Sequence, residues 1–175
     1  YPDAEFRVID NFSSGNRAHA EFFANEPRVS FFELDLKEQT PLVKALDGSN
    51  LVVHLAANPN IAAAEIQPDI DFWNGTLLTQ NLLEAMRLSG VKSMIYASGS
   101  GVYGDVTESI SENYGPCIPI STYGASKLAC ESLISAYCHM FDMRARTLRF
   151  ANVVGPRQTH GIGYDFLRRL SDGLS

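Results

Sequence analysis

Tyr123 and Lys127 are the two residues whose types and spacing best suit proton transfer. They lie four residues apart in the run Tyr-Gly-Ala-Ser-Lys, so a helix would place them on one face, about one turn apart. A phenol with an ordinary pKa of about 10 is a poor base at neutral pH. A neighbouring ammonium group would lower that pKa and make Tyr123 a usable acid/base. The same spacing also arises by chance in many helices.

A segment rich in serine and glycine, 98–104, precedes that pair in the chain. Ser98 and Ser100 follow a predicted strand, and hydroxyl groups at such a position can hydrogen-bond a reacting oxygen. They precede Tyr123 by 25 and 23 residues. A serine/glycine turn without chemistry is the alternative interpretation.

Acidic and small residues follow the other strand-like runs. Asp10 follows the first strand-like run of this chain. In a dinucleotide-binding fold, a carboxylate at the tip of the second strand accepts hydrogen bonds from the adenosine ribose and repels a 2′-phosphate. If Asp10 has that role, it favours NAD over NADP. Asp35 could accept from an adenine amino group. A turn or helix-cap role is the alternative for both. Ala56 and Ala57 are small enough for a cofactor to approach their backbone closely, with tight helix packing as the alternative.

Hydrophobic periodicity predicts the elements that must position these residues. Short apolar or β-branched runs predict strands at 5–9, 28–34, 51–55, 92–97 and 144–150. Helical spacing and end signals predict helices at 15–24, 39–46, 68–89, 121–140 and 162–170. Ser121 or Thr122 is the expected N-cap of the fourth helix. The glycine-, serine- and proline-rich stretch 99–119 predicts a long loop.

The alternation of strands and helices predicts an α/β fold. We expect a Rossmann-like, doubly wound parallel sheet with helices on both faces. Ligands bind beyond the carboxyl ends of the strands in such sheets, so all the residues considered above would gather at one edge. A length of 175 residues corresponds to a single domain.

Composition excludes several classes of function. A net charge of −6 without a cluster of basic residues argues against broad nucleic-acid binding. Apolar runs fall short of a membrane span, and the first residues are unlike a signal peptide. The three cysteines, Cys117, Cys130 and Cys138, match neither a disulfide framework nor the spacing of zinc ligands. We therefore expect no metal, no membrane contact and a reduced cytoplasmic location.

Seven segments together resemble the extended short-chain dehydrogenase/reductase family, in its nucleotide-sugar epimerase/dehydratase branch. They follow the family order and cover nearly the whole chain. The segments are 8–15 (VIDNFSSG), 35–36 (DL), 54–57 (HLAA), 74–76 (NGT), 102–104 (VYG), 123–127 (YGASK) and 148–156 (LRFANVVGP).

The resemblance implies an enzyme that uses NAD to epimerise a sugar nucleotide at C4 through a transient 4-keto sugar. It makes Tyr123 the catalytic acid/base, with Lys127 beside it and Ser100 assisting. The cofactor contacts that it implies are Asp10 and Asn11 at the adenosine ribose, Asp35 and Leu36 at adenine, Leu55, Ala56 and Ala57 at the pyrophosphate and nicotinamide ribose, Tyr123 and Lys127 at that ribose, and Phe150 at the nicotinamide. The substrate contacts that it implies are Ser98, Ser100 and Asn152.

The sequence departs from the family pattern in ways that bear on these expectations. It lacks the opening strand and the Gly-x-x-Gly-x-x-Gly turn, whose amides grip the pyrophosphate, and most of the C-terminal part that closes over the substrate. We therefore expect 1–175 to be one incomplete NAD-binding domain, inactive alone, in which 156–175 begins the substrate-binding region.

Individual positions also depart from the pattern. Gly99 stands where the family carries a catalytic serine or threonine, and Ser100 is the expected substitute. Phe72 stands where the branch carries asparagine. Ser100 and Gly101 occupy the place of the Asp-Glu pair of the 4,6-dehydratases, which disfavours dehydration.

Alternative functions stay open. A decarboxylase or reductase of the same branch is one alternative. A dinucleotide-binding protein without turnover is another, which Gly99 favours and the Tyr123–Lys127 pair opposes. The family implies a homodimer through helices 68–89 and 121–140. His160 and Arg157 could face a sugar nucleotide or lie in solvent.

Overall fold

The computed structural model describes residues 3–23, 25–156, 158 and 161–173. Arg157 and His160 lie outside the described residues. Strands β1 to β5 are Phe6–Asp10, Val29–Glu33, Val52–His54, Ser93–Gly99 and Arg144–Phe150. Helices α1 to α5 are Arg17–Glu21, Gln39–Leu46, Leu77–Ser89, Thr122–Phe141 and Ile162–Ser171. Short 3₁₀ turns occupy Ile61–Glu65 and Ser100–Tyr103.

The element types agree with the sequence prediction, and the differences lie at element ends. Helix α1 starts later than predicted, because the side chain of Asn16 caps it by accepting from Ala18 N at 2.9 Å. The long helix predicted at 68–89 contains a π-helical turn, Phe72–Thr76, before α3. Within that turn, a β carbon at Gly75 would lie 2.5 Å from Ser126 Oγ, so α4 packs closely there only because Gly75 has no side chain.

All strand pairing in the described residues is parallel, which confirms the α/β prediction. The strands form two sheets, β1–β2 and β3–β4–β5, rather than the single sheet expected. A Rossmann sheet has the order 3-2-1-4-5-6, and removing strand 1 from it leaves 3-2 and 4-5-6. The observed orders match these two remainders, so β1 to β5 correspond to strands 2 to 6 of that fold.

The core lies where α2, α3 and α4 meet the second sheet. Leu42 of α2, Leu83 and Met86 of α3, and Ile134 of α4 are almost completely buried together with Tyr96 of β4. Two long-range hydrogen bonds join the first sheet and its neighbours to this core: Arg7 Nη1 donates to Ala45 O at 3.0 Å, and Asn81 Nδ2 donates to Leu36 O at 3.1 Å. This packing fixes α4, which carries the Tyr123–Lys127 pair, against the carboxyl half of β4.

Among the described residues, no helix combines the length and the apolarity that crossing a membrane requires.

Candidate active site

Helix α4 presents Tyr123 and Lys127 toward the carboxyl end of β4. Ser121 is the N-cap of α4, which the sequence predicted at Ser121 or Thr122. Its side chain accepts a hydrogen bond from Gly124 N at 3.1 Å. Lys127 is 6% exposed, and its Nζ donates to Ala97 O at 2.7 Å. The same ammonium lies over the ring of Tyr96, 5.1 Å from the centroid, and over that of Tyr123, at 5.5 Å. The two predicted catalytic side chains are therefore adjacent and held by the sheet.

The pKa of Tyr123 shifts in the direction opposite to the sequence expectation. Burial raises the pKa of its phenol above the ordinary value, and the nearby carboxylate of Asp71 raises it further. Burial also lowers the pKa of Lys127. The expectation that Lys127 lowers the Tyr123 pKa is thus wrong for the protein alone, because the pKa is raised, first by desolvation and then by the facing carboxylate.

Asp71 lies in the candidate site, and the sequence analysis did not identify it. It is 2% exposed and lines a small cavity together with Tyr123 and Lys127. The remaining lining residues are Ala57, Asn58, Gly75, Tyr96 and Ser126. No spacing rule pointed to Asp71, because it precedes the exposed Phe72 and Trp73 in a stretch with the composition of a solvated helix start.

The two candidate serines have different surroundings. Ser98 is buried on the face of β4 that packs on α4, and its hydroxyl donates to Glu131 Oε1 at 2.6 Å. Glu131 in turn accepts from Arg149 Nη2 at 2.7 Å. Ser98 therefore belongs to a polar network beneath the site. Ser100 is exposed at the start of the 3₁₀ turn, directly after the strand.

Gly99 leaves open space at the edge of the sheet. A β carbon at position 99 would meet only Phe150 O, at 3.8 Å, and the backbone there is extended. The β carbon of a serine or threonine, the residue that the family pattern places at this position, would therefore fit without displacing its neighbours.

Replacing Gly99 with serine is expected to raise the rate of proton transfer at Tyr123, because one positioned hydrogen-bond donor contributes roughly 10²-fold to 10³-fold. The measurement is the initial rate at saturating substrate. Gly99→Ala is the matched control, since it fills the same space without a hydroxyl. Equal rates for the serine and alanine variants would show that no hydroxyl acts from this position.

The predicted adenosine-binding residues gather at the carboxyl ends of β1 and β2. Asn11 Nδ2 donates to Asp35 Oδ2 at 3.0 Å and so joins the two strand ends. Asp10 Oδ1 accepts from Phe12 N at 2.7 Å, and Asp35 Oδ1 accepts from Lys37 N at 2.8 Å. Each carboxylate thus accepts a hydrogen bond from the backbone N–H two residues later, which is the turn role that the sequence analysis gave as the alternative. Asp10 is also exposed, and Gly15 lies against its carboxylate, where a β carbon would come within 3.2 Å.

The remaining predicted cofactor and substrate residues lie at the ends of the second sheet. Leu55 is 69% exposed directly after β3, and Ala56 beside it is also exposed. Ala57 faces the cavity that holds Tyr123. Phe150 ends β5 as the register partner of Gly99, and Asn152 follows it exposed. The second sheet thus ends in apolar and small residues beside Tyr123, and the first sheet ends in carboxylates. This arrangement fits a dinucleotide that lies across the strand ends.

Comparison with known proteins agrees with this geometry. The model of the NAD dependent epimerase/dehydratase family matches residues 3–173. The UDP-glucose 4-epimerase of Corynebacterium glutamicum is 32% identical over 154 residues, which cover 85% of this chain and 44% of that protein.

Two solved structures illustrate the likeness of the fold. The Thermus thermophilus UDP-glucose 4-epimerase in complex with NAD is 34% identical with a TM-score of 0.83, over 96% of this chain and 55% of that one. A double mutant of dTDP-glucose 4,6-dehydratase from Streptomyces venezuelae, with NAD bound, is 27% identical with a TM-score of 0.92. The match covers 99% of this chain and 54% of that one. This chain spans about half the length of the relatives that it matches. It belongs to the NAD dependent epimerase/dehydratase family.

Proposed function

We propose that residues 1–175 are the central, cofactor-binding part of an NAD-dependent enzyme. This enzyme would invert C4 of a sugar nucleotide of the UDP-glucose/UDP-galactose type. The observation that carries the proposal is the Tyr123–Lys127 pair, held at the carboxyl ends of the second sheet. The 32% identity to a UDP-glucose 4-epimerase supports the choice of reaction.

The residues present fit NAD across the strand ends, and their proposed tasks divide along the sheet. Asp10 and Asn11 would hold the adenosine ribose, with Asp35 and Leu36 at adenine. Leu55, Ala56 and Ala57 would line the pyrophosphate and nicotinamide ribose, and Phe150 would border the nicotinamide. The bound cofactor supplies the acceptor and donor of a hydride.

Proton transfer is the task of the protein itself. Tyr123 would take the proton of the sugar 4-hydroxyl and return it after the transient 4-keto sugar has turned over. Lys127 would stabilise the phenolate and hold a ribose hydroxyl. Ser100 and Asn152 would contact the sugar nucleotide, while Ser98 would support that edge through Glu131.

The likeness to a dehydratase requires a choice between reactions, because its TM-score exceeds that of the epimerase quoted above. Elimination of water needs a general acid. Ser100 and Gly101 carry no carboxyl group at the place where dehydratases of this branch carry an Asp-Glu pair. We therefore favour epimerisation over dehydration.

We also propose a homodimer through the segments 68–89 and 121–140, in a reduced cytoplasmic compartment. Exposed apolar side chains on these segments support the interface: Phe72, Trp73, Leu88 and Met140. The cysteines are free thiols, which suits a reduced compartment.

Incubation of the full-length protein containing these residues with NAD and UDP-galactose, followed by chromatography, tests the proposed reaction. We expect UDP-glucose to accumulate. The 175-residue chain alone is the matched control, which we expect to be inactive and to bind NAD weakly, because it lacks the glycine-rich turn that holds the pyrophosphate. NAD binding by the full-length protein without turnover of any nucleotide sugar would favour the non-catalytic alternative.

A further inference from the structure

Three hydrogen bonds join the buried residue Asp71 to two segments of the site, the turn after β3 and helix α4. Oδ1 accepts from Asn58 Nδ2 at 2.8 Å, and Oδ2 accepts from Thr122 Oγ1 at 2.7 Å. The backbone oxygen of Asp71 accepts from Ser126 Oγ at 2.8 Å. Both carboxylate oxygens and the carbonyl are therefore hydrogen-bonded at a residue that is 2% exposed.

The partners of Asp71 come from the places that bear on the chemistry. Asn58 follows the predicted cofactor residues after β3, and its own Oδ1 accepts from Asn60 N at 3.0 Å. That bond fixes the amide, so the Asn58 NH₂ group faces Asp71. Thr122 immediately precedes Tyr123. The carboxylate thus joins the turn after β3 to the first residue of the helix that carries the acid/base.

The carboxylate of Asp71 is buried together with a hydrogen-bond donor for each of its two oxygens. Burying a charge without partners costs several kcal/mol or more, and hydrogen bonds to the charged form offset that cost. The N-terminus of α4 adds the positive end of a helix dipole beside the carboxylate. The Lys127 ammonium lies about one turn further along the same helix. Asp71 therefore places a carboxylate group in the cavity shared with Tyr123.

We propose that Asp71 is a positioning residue for Tyr123: its tether to Thr122 sets the start of α4 at the cofactor turn, and its carboxylate lines the same cavity as the phenol. The proposal rests on the proposed function for its catalytic meaning. Its structural basis is independent of that function.

The charged and titratable groups around Tyr123 make the sign of the effect definite. Lys127 lies on the same helix, and Asp71 lies directly before the π-helical turn Phe72–Thr76. Tyr96 comes from β4, and His54 of β3 lies beside Lys127. Cys130 and Glu131 of α4 act on Tyr96. Burial lowers the pKa of His54 to about 4, so His54 is neutral at neutral pH. Asp71 raises the pKa of Tyr123, and removal of its charge must therefore lower that pKa.

Tyrosinate absorbance of the full-length protein, without cofactor or substrate, tests the charge effect apart from any activity. The protein is titrated over the alkaline range in which it stays folded. Subtracting the curve of a Tyr123→Phe variant isolates the step due to Tyr123. In Asp71→Asn, which keeps the shape and loses the charge, we expect this step on the order of one pH unit lower. Asp69→Asn, an exposed aspartate two residues away, is the matched control and should leave the step in place.

Kinetics then test the positioning role. Since the phenolate is the active base, a lower Tyr123 pKa moves the acid limb of the kcat/KM profile of Asp71→Asn to lower pH. Thr122→Val keeps the Asp71 carboxylate and removes its hydrogen bond to α4, and we expect it to reduce kcat about 10-fold with little change in KM.

An unmoved Tyr123 absorbance step in Asp71→Asn, or unchanged kcat in Thr122→Val, would overturn the proposal. A moved step in a protein without epimerase activity would instead contradict the proposed function alone. If Asp71→Asn does not fold, the kcat of Thr122→Val decides.

Discussion

Replacement of Tyr123 by phenylalanine is expected to lower the turnover number of the full-length protein by about 10³-fold, because positioned acid/base groups contribute roughly 10²-fold to 10⁴-fold to such reactions. The substitution removes only the phenolic oxygen. The ring beneath the Lys127 ammonium stays, as do the bond from Lys127 to Ala97 O and the N-cap at Ser121. Binding of NAD and thermal stability should therefore change little.

Two measurements on this variant separate chemistry from folding. Turnover is followed by chromatography of the nucleotide sugars, and NAD binding by the rise in thermal midpoint that the cofactor causes. Tyr137→Phe is the matched control, because Tyr137 lies on the same helix and its hydroxyl accepts from Gln80, away from the site. Wild-type turnover in the Tyr123 variant would refute the acid/base assignment.

Replacement of Gly104 by alanine is expected to destabilise the protein by about 2–6 kcal/mol, since backbone strain and steric overlap each cost roughly 1–3 kcal/mol. Gly104 has φ 81° and ψ −150°, a region that is open essentially to glycine alone. A β carbon there would also overlap the carbonyl oxygen of Ile118 and lie 3.0 Å from its carbon. This glycine closes the turn that carries Ser100, so the variant should lose activity as well.

Gly90→Ala is the control for a glycine of positive φ that has neither a steric contact nor the ψ of Gly104. Gly90 ends α3 at φ 78° and ψ 8°, and a β carbon there would meet nothing within 4 Å. Its replacement should cost only about 1 kcal/mol, the penalty of the left-handed helical region. Both values come from denaturant unfolding of the full-length variants. Equal losses for the two variants would contradict the larger cost expected at Gly104.

Local sequence patterns predicted the elements well where packing agrees with local preference. The bounds of α2 and β5 are those expected, and Ser121 caps α4 as the sequence suggested. The Tyr123–Lys127 pair could be found because its spacing is a property of one helix. Its position at the end of β4 follows from the general rule for parallel sheets.

Contacts between distant segments could not be predicted in the same way. Asp71 meets Thr122 across 51 residues, and Ser98 meets Glu131 across 33. No local period encodes either contact. The sign of the Tyr123 pKa shift depends on this hidden carboxylate and on burial, which is why the expectation from Lys127 alone failed. The division into two sheets has a similar cause. The position of strand 1 of a Rossmann sheet, between β1 and β3, is not filled by any of β1 to β5.

The fate of a deuterium label at C4 of UDP-galactose tests the proposed function most directly. In the proposed reaction the hydride leaves C4 and returns to the same carbon on the opposite face, while Tyr123 exchanges only the hydroxyl proton. The full-length protein with NAD should therefore yield UDP-glucose that retains the deuterium at C4, as measured by mass spectrometry and NMR. Loss of the label to solvent, or its appearance at C6, would contradict epimerisation through a transient 4-keto sugar.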